Sequence, residues 1–258
     1  MTSHGEDEQR WWELFYDEYL ERVLLDSTSV EEIEKTLDFI EAKLELGPGA
    51  AVFDQCCGSG RLSIPLARRG YEVIGVDQAR RYIESAREKA DSEELAAEFV
   101  TADAFEYRPE EPVQGAINWW TSFGYGTDVE NQKMLQRAFE SLVPGGIFLL
   151  DSFNLIGVLR NFKRHVVNRC ETDEGEITLI RESEVDTESG LLLKTWTYIL
   201  PDGRRVIHDS RVRLYLPHSI AGMLESCGFE GVEIYGGADG EPIELDSERC
   251  ILRARRPL

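Results

Sequence analysis

The sequence predicts an α/β protein of the Rossmann-like class: a seven-stranded, mostly parallel sheet with helices on both faces, an N-terminal helical lid, and an antiparallel β insertion after the fifth strand. Three observations predict it. Apolar runs of strand length alternate with amphipathic segments between residues 51 and 153; the turn Gly58-Ser59-Gly60 directly follows the first run; and four successive strand-like runs occupy residues 165–216. Strands alternating with helices form a parallel sheet covered on both faces, whereas consecutive strands joined by short turns form a meander.

The 258 residues are expected to make one domain, 1–258, in four stretches: N-terminal helices (1–46), core (50–153), antiparallel insertion (162–216), and closing helix and strands (217–258). Residues 9–25 place Trp12, Phe15, Tyr16, Tyr19, Leu20 and Val23 at three- and four-residue spacing, the stripe of an amphipathic helix. A second helix over 30–46 opens on the capping pattern Ser29-x-x-Glu32 and stops at Gly47-Pro48-Gly49. Strands are then predicted over 51–56, 71–76, 97–101, 114–119 and 147–153, with helices ending at 69 and spanning 79–90 and 129–143. The last of these carries Thr127-x-x-Glu130 at its start and Pro144-Gly145-Gly146 at its end. The meander runs 165–172, 176–186, 191–200 and 205–216, with turns at 187–190 and 201–203. A helix over 217–227, stopped by Gly228, and strands over 232–235 and 249–255 finish the chain.

A net charge of −21 repels phosphate backbones and predicts no nucleic-acid partner. No apolar run approaches about 18 residues, and the first ten residues are polar and acidic. The expectation is a soluble cytoplasmic protein with no membrane partner. Five cysteines (Cys56, Cys57, Cys170, Cys227, Cys250) are an odd number and suggest no disulfide framework, and no metal constellation stands out.

The informative stretch is Val52-Phe53-Asp54-Gln55-Cys56-Cys57-Gly58-Ser59-Gly60, an apolar strand ending in an acid and two glycines before a helix. Gly58 and Gly60 let the backbone approach a ligand closely. A dinucleotide fingerprint wants glycine or alanine where Ser63 stands. Asp54 at the strand end would attract an ammonium rather than a phosphate. Asp77 ends the second strand, where a carboxylate, with Gln78 beside it, accepts both hydroxyls of a ribose. Asp103 ends the third strand and can receive the exocyclic amine of adenine, while Ala104 or Phe105 covers a ring face. These features favour S-adenosylmethionine over a dinucleotide.

At these residues the chain resembles the class I S-adenosylmethionine-dependent methyltransferases, over roughly residues 30–155 and again at Leu224-Glu225-Ser226-Cys227-Gly228-Phe229. The resemblance implies S-adenosyl-L-methionine as cofactor, held by Asp54, Cys56, Gly58, Gly60, Asp77, Gln78, Asp103, Ala104, Phe105, Asn118 and Trp119. Cys56 and Cys57 read as small buried side chains under the loop more readily than as a catalytic thiol.

The end of the fourth strand, Asn118-Trp119-Trp120-Thr121-Ser122-Phe123-Gly124-Tyr125, should pass beside the transferable methyl group as an aromatic lip, with Phe123 and Trp119 the leading candidates for contact there. Methyltransferases of nucleobase amines and glutamine amides carry prolines here that this chain lacks, which argues for a small-molecule substrate. Tyr16 is a second candidate, from a lid over the cofactor. The insertion resembles that of glycine, sarcosine and aminosugar N-methyltransferases, which implies that it walls the substrate cavity or builds a homo-oligomer contact. Within it His208, Arg211 and Arg213 could face the substrate or solvent, and His165 and His218 read as surface or capping residues. The favoured function is N-methylation of a small amine, such as an aminosugar or amino acid in specialised metabolism. The alternatives are small-molecule O-methylation with His208 or a tyrosine as base, a non-catalytic S-adenosylmethionine-binding protein, and an NAD-dependent oxidoreductase.

Overall fold

A computed structural model describes residues 10–20, 23, 29–173 and 175–258. Along the chain run α1 (Trp12–Phe15), α2 (Glu18–Leu20), α3 (Val30–Leu44), β1 (Ala51–Gln55), α4 (Ser63–Arg68), β2 (Glu72–Asp77), α5 (Arg80–Ser92), β3 (Ala97–Thr101), β4 (Val113–Asn118), α6 (Asp128–Ser141) and β5 (Leu142–Phe153). There follow α7 (Leu155–Arg160), β6 (His165–Thr172), β7 (Gly175–Asp186), β8 (Leu191–Ile199), β9 (Arg205–Arg213), α8 (Pro217–Ser226), β10 (Glu230–Tyr235) and β11 (Arg249–Arg255). They divide into two compact units. One is Ser29–Phe162 with Arg213–Leu258; the other is Lys163–Val212 with the described residues before 29.

The larger unit is built on a seven-stranded sheet ordered β10-β11-β5-β4-β1-β2-β3. Strands β1 to β5 are mutually parallel, and β11 and β10 complete the edge in antiparallel register. This is the predicted Rossmann-like architecture. Strand order reverses at β1, which pairs with β2 on one side and β4 on the other, so a crevice opens beyond their carboxyl ends. Side chains alternate across the sheet. Phe148 of β5 stacks on Phe229 on one face, while its neighbour Leu149 joins Leu37, Ile40 and Leu44 of α3 on the other.

Both predicted caps are present. The Ser29 side chain accepts from the backbone N–H of Glu32 at 3.1 Å, and Thr127 with Glu130 forms a reciprocal box at the start of α6. Two details differ from the sequence reading. Pro144-Gly145-Gly146 does not separate helix from strand: β5 already begins at Leu142, and the pairing with β4 slips between Val113/Leu142 and Gly115/Ile147. Gly145 absorbs this bulge at φ +83°, bonding the chain end through Arg256 O. Helix α7, unforeseen from sequence, starts where the Asn154 side chain accepts from Ile156 N.

The smaller unit is a four-stranded antiparallel sheet ordered β6-β7-β8-β9, the predicted insertion after the fifth strand. Leu179, Trp196 and Tyr198 on one of its faces cluster with Phe15, Leu20 and Val23. The helix expected over 9–25 is broken in its described part into α1 and α2; positions 9, 21, 22, 24 and 25 lie outside the described residues, as do 1–8. Asp17 is the reason, since its Oδ1 accepts from Tyr19 N and Leu20 N at 3.0 Å and restarts the helix after Tyr16. Among the described residues no helix is long and apolar enough to cross a membrane.

Candidate functional site

The site is assembled at the carboxyl ends of β1 to β5, in the larger unit. Beyond β1, Cys56, Gly58 and Gly60 take φ values of +67°, +54° and +77°, which folds the loop back over the sheet. A Cβ on Gly60 would lie 3.1 Å from Ile64 and 3.2 Å from Phe99, so at this φ a side chain would be strained and would push those two neighbours aside. Two bonds tie the loop to β2: Cys57 N donates to Val76 O at 2.9 Å and Gly58 N to Asp77 Oδ2 at 3.0 Å. Asp77 Oδ1 also accepts from Ala79 N at 2.9 Å, so the carboxylate plane is fixed at the crevice mouth, with Gln78 beside it. Burial raises the Asp77 pKa, and the backbone N–H groups of Ala79, Gly58 and Gln78 oppose that rise.

Asp103 Oδ1 accepts from Phe105 N at 2.9 Å, a tight turn that buries Ala104 and Phe105. Beneath it lies an amide network that the sequence reading missed. Fully buried Gln55 donates to Ala104 O at 3.3 Å and Met134 O at 3.1 Å, and accepts from Asn118 Nδ2 at 3.1 Å. It thereby locks the ends of β1, β3 and β4 to α6. The available signal was a glutamine following Asp54 at the end of a buried strand, since a polar group there must find buried partners.

Asp54, read from sequence as an acid open to an ammonium, has its carboxylate tucked inside. It is 3% exposed, and Oδ2 accepts from Ser63 Oγ at 2.5 Å. Ser63, noted only for breaking a dinucleotide fingerprint, is thus a partner of the strand-end acid. Burial pushes the Asp54 pKa up to about 7, against the Ser63 bond. Between its unfolded value near 4 and about 7 the folded chain holds a proton that the unfolded chain has released, so stability falls as pH rises through this window and levels off above it. Asp54→Asn should shrink the loss of unfolding free energy between pH 5 and pH 8 by on the order of 2–3 kcal/mol. Urea midpoints at the two pH values measure this, and an identical pH dependence in variant and parent would refute it.

The aromatic lip resolves into different roles. Trp119 is 4% exposed and packs into the core near Phe39, ring centroids 6.2 Å apart. Trp120 and Thr121 both adopt left-handed backbone, φ +58° and +63°. Trp120 N donates at 2.8 Å to Asp151 Oδ2, and fully buried Asp151 also accepts from Arg249 Nε at 2.7 Å. Burial lowers the Arg249 pKa to about 10. The guanidinium carbon of Arg61 lies 4.2 Å from the Trp120 ring centre. Phe123 is 1% exposed and packs on Tyr215, whose hydroxyl donates to Asp128 at 2.6 Å and accepts from Asn131 at 3.0 Å.

The remaining candidates belong to the smaller unit. His208 Nε2 lies 2.7 Å from Asp17 Oδ2, with Phe15 and Tyr198 flanking the imidazole, and Tyr16 meets Phe15 edge-on. Arg211 and His165 line a cleft of about 540 Å³ with Trp11, Glu182 and Asp209. In the larger unit Arg213 pairs with Asp128 at 3.1 Å, and His218 is exposed on α8. All five cysteines are free thiols, and burial raises the pKa of Cys56 and Cys57 well above the usual thiol value. Among the described residues no group of three His, Cys, Asp or Glu side chains is placed to hold a metal ion.

This donor set fits an adenosine bearing an amino-acid tail better than a pyrophosphate. Carboxyl groups stand at or just beyond the ends of β1, β2 and β3, and the Asp54 carboxyl, bonded to Ser63 Oγ, occupies the space under the first residue of α4 where a pyrophosphate would have to approach. Comparison with known proteins agrees. Residues 52–146 match a family described as methyltransferase domain. The ubiquinone biosynthesis O-methyltransferase of Xanthomonas campestris is 30% identical over 46% of this chain and 48% of its own. The chain spans less than half the length of the first curated relatives it matches. Two solved structures share the fold: the CcbJ methyltransferase of Streptomyces caelestis (20% identity, TM-score 0.77, covering 90% of this chain and 92% of that one) and the sugar N-methyltransferase KedS8 of a Streptoalloteichus species (16%, 0.72, 100% and 97%).

Proposed function

We propose that the chain, whose residues 52–146 match a family described as methyltransferase domain, transfers a methyl group from S-adenosylmethionine to a small-molecule amine, of the aminosugar or amino-acid class, in specialised metabolism. The observation that carries the reading is the pair of carboxylates at successive strand ends, Asp77 and Asp103, each fixed by backbone N–H groups in the crevice at the β1/β4 switch point. Asp77 accepts the ribose hydroxyls and Asp103 the adenine amine, with Ala104 and Phe105 against the ring. The loop of Cys56, Gly58 and Gly60 lies along the tail, the buried Asp54 carboxyl with its Ser63 bond supports the loop from beneath, and Asn118 and Trp119 shape the fourth-strand wall.

S-adenosylmethionine supplies an electrophilic methyl on a sulfonium when bound. The chain's own contribution is alignment and exclusion of water, worth up to roughly 7–11 kcal/mol in effective-molarity terms. A neutral amine attacks without a strong base, which suits a site with no imidazole at the strand ends. Sugar N-methyltransferases among proteins of the same fold support an amine acceptor.

A second reading is supported by Asp17 and His208. A carboxylate 2.7 Å from an imidazole nitrogen stabilises the imidazolium, as deprotonation of a phenol or alcohol requires, and an O-methyltransferase is among the relatives in sequence. Both readings meet in one experiment: methyl-labelled S-adenosylmethionine is offered to pooled small amines, and separately to matched phenols, alcohols and acids. Label captured by the amine pool is the expected outcome. Label only in the oxygen pool overturns the amine in favour of His208 chemistry, and S-adenosylhomocysteine binding with no label in either pool leaves a binding protein.

A further inference from the structure

We propose that two copies of this chain associate through a rigid apolar platform built in the larger unit from α7 and the turn at 243–247 that precedes β11. The proposal stands apart from the cofactor reading. Ile156 and Leu159 lie on one side of α7 at three-residue spacing and are 40% and 46% exposed, and Leu245 on the turn is 60% exposed. Ile156 and Leu245 line one recess of about 560 Å³ together with Pro217 and Ile243. Exposed apolar side chains gathered around a recess and rimmed by polar groups mark an interaction surface, whereas scattered ones do not.

The platform is fixed before any partner arrives. Asn154 and Asn161, the two caps of α7, donate their side-chain amides to Ser247 O at 2.8 Å and Asp246 O at 3.1 Å. Between them Gly157 lets the helix lie directly on the turn, since a Cβ there would overlap Ser247 O. Glu244 N donates to Ser247 Oγ at 3.1 Å and closes the turn on itself. These clamps hold the apolar side chains in place without covering them, so association has little backbone left to order. The rim selects the partner. It carries both signs, Arg160 from α7 and Glu244 with Asp246 from the turn. A patch holding both signs complements itself under two-fold rotation, with Arg160 of each copy meeting Glu244 of the other. Self-repulsion at a net charge of −21 makes such local pairing necessary for two copies to meet. The acids between β10 and β11 repel an anionic lipid surface.

The test is sedimentation velocity on the full chain over a concentration series, at a salt concentration held fixed because charge pairs are screened. The parent should pass from monomer to dimer as concentration rises. Leu245→Asp and Ile156→Asp should each raise the dimer dissociation constant by about thirtyfold or more, the scale of a lost central contact. Arg160→Glu should raise it by about tenfold, and Arg160→Glu combined with Glu244→Arg should return it to within about threefold of the parent, because each swapped charge meets its opposite across a two-fold contact. The replaced side chains are exposed, so urea midpoints should match the parent's. A parent that stays monomeric at every concentration, as when the platform takes a different protein, overturns the proposal. So does an association that Leu245→Asp leaves intact, as when the antiparallel insertion carries it, and so does a double swap no better than Arg160→Glu alone.

Discussion

Asp77→Ala should weaken S-adenosylhomocysteine binding by about 2–4 kcal/mol, roughly thirtyfold to a thousandfold. The carboxylate does two things at once. Toward the protein it accepts from Gly58 N and Ala79 N, which holds the glycine loop and the turn after β2 in register. Toward the crevice, on the proposed cofactor reading, it would offer its oxygens to the ribose diol. Removing it would then leave two ribose hydroxyls without a charged acceptor, and it frees the loop after β1 from its bond to Gly58 N. Asp77→Asn keeps one acceptor oxygen and should lose less. Calorimetry reads both, and parental affinity in the alanine variant would remove Asp77 from the cofactor site.

Apart from α7, the strand and helix pattern of the larger unit was legible because its elements carry their own local signals. Apolar runs of five or six residues, caps at Ser29 and Thr127, and acids at the ends of β2 and β3 all report on neighbours close in sequence. The amide network of Gln55 and Asn118 reaches 63 to 79 residues along the chain, to Asn118 and Met134 respectively, and no local pattern announces such a partner. Trp119 and Trp120 illustrate the same limit. They are adjacent and chemically alike, yet a left-handed backbone at Trp120 accompanies one ring in the core and the other against Arg61. Asp17 reads as one more polar residue on a helical stripe, and its capping bonds to Tyr19 and Leu20 are what split that stripe in two. The aromatic spacing was right while the helix it suggested was not continuous.

The second large effect belongs to Asp151, which sequence reading passed over as one acid in an apolar strand. Its carboxylate is 0% exposed and is matched by the Arg249 guanidinium and by Trp120 N, so the charge is buried but compensated. Such pairs are not strongly stabilising relative to an apolar replacement, but breaking one leaves an uncompensated charge at a cost of about 3–5 kcal/mol. Arg249→Met should cost in that range, because it leaves the fully buried carboxylate unpaired. Asp151→Ala should cost less, about 1–3 kcal/mol, because the guanidinium left behind is 38% exposed and hydrated, while Trp120 N loses the acceptor that pins the left-handed turn at Trp120 and Thr121. The double variant Asp151→Asn with Arg249→Met removes both charges and keeps an oxygen for Trp120 N, so it should be more stable than either Asp151→Ala or Arg249→Met alone. Urea unfolding of Asp151→Asn, Arg249→Met and their double variant gives the coupling as a double-mutant comparison. A loss below about 1 kcal/mol in Asp151→Ala, the size of an exposed ion pair, would refute the buried-pair account.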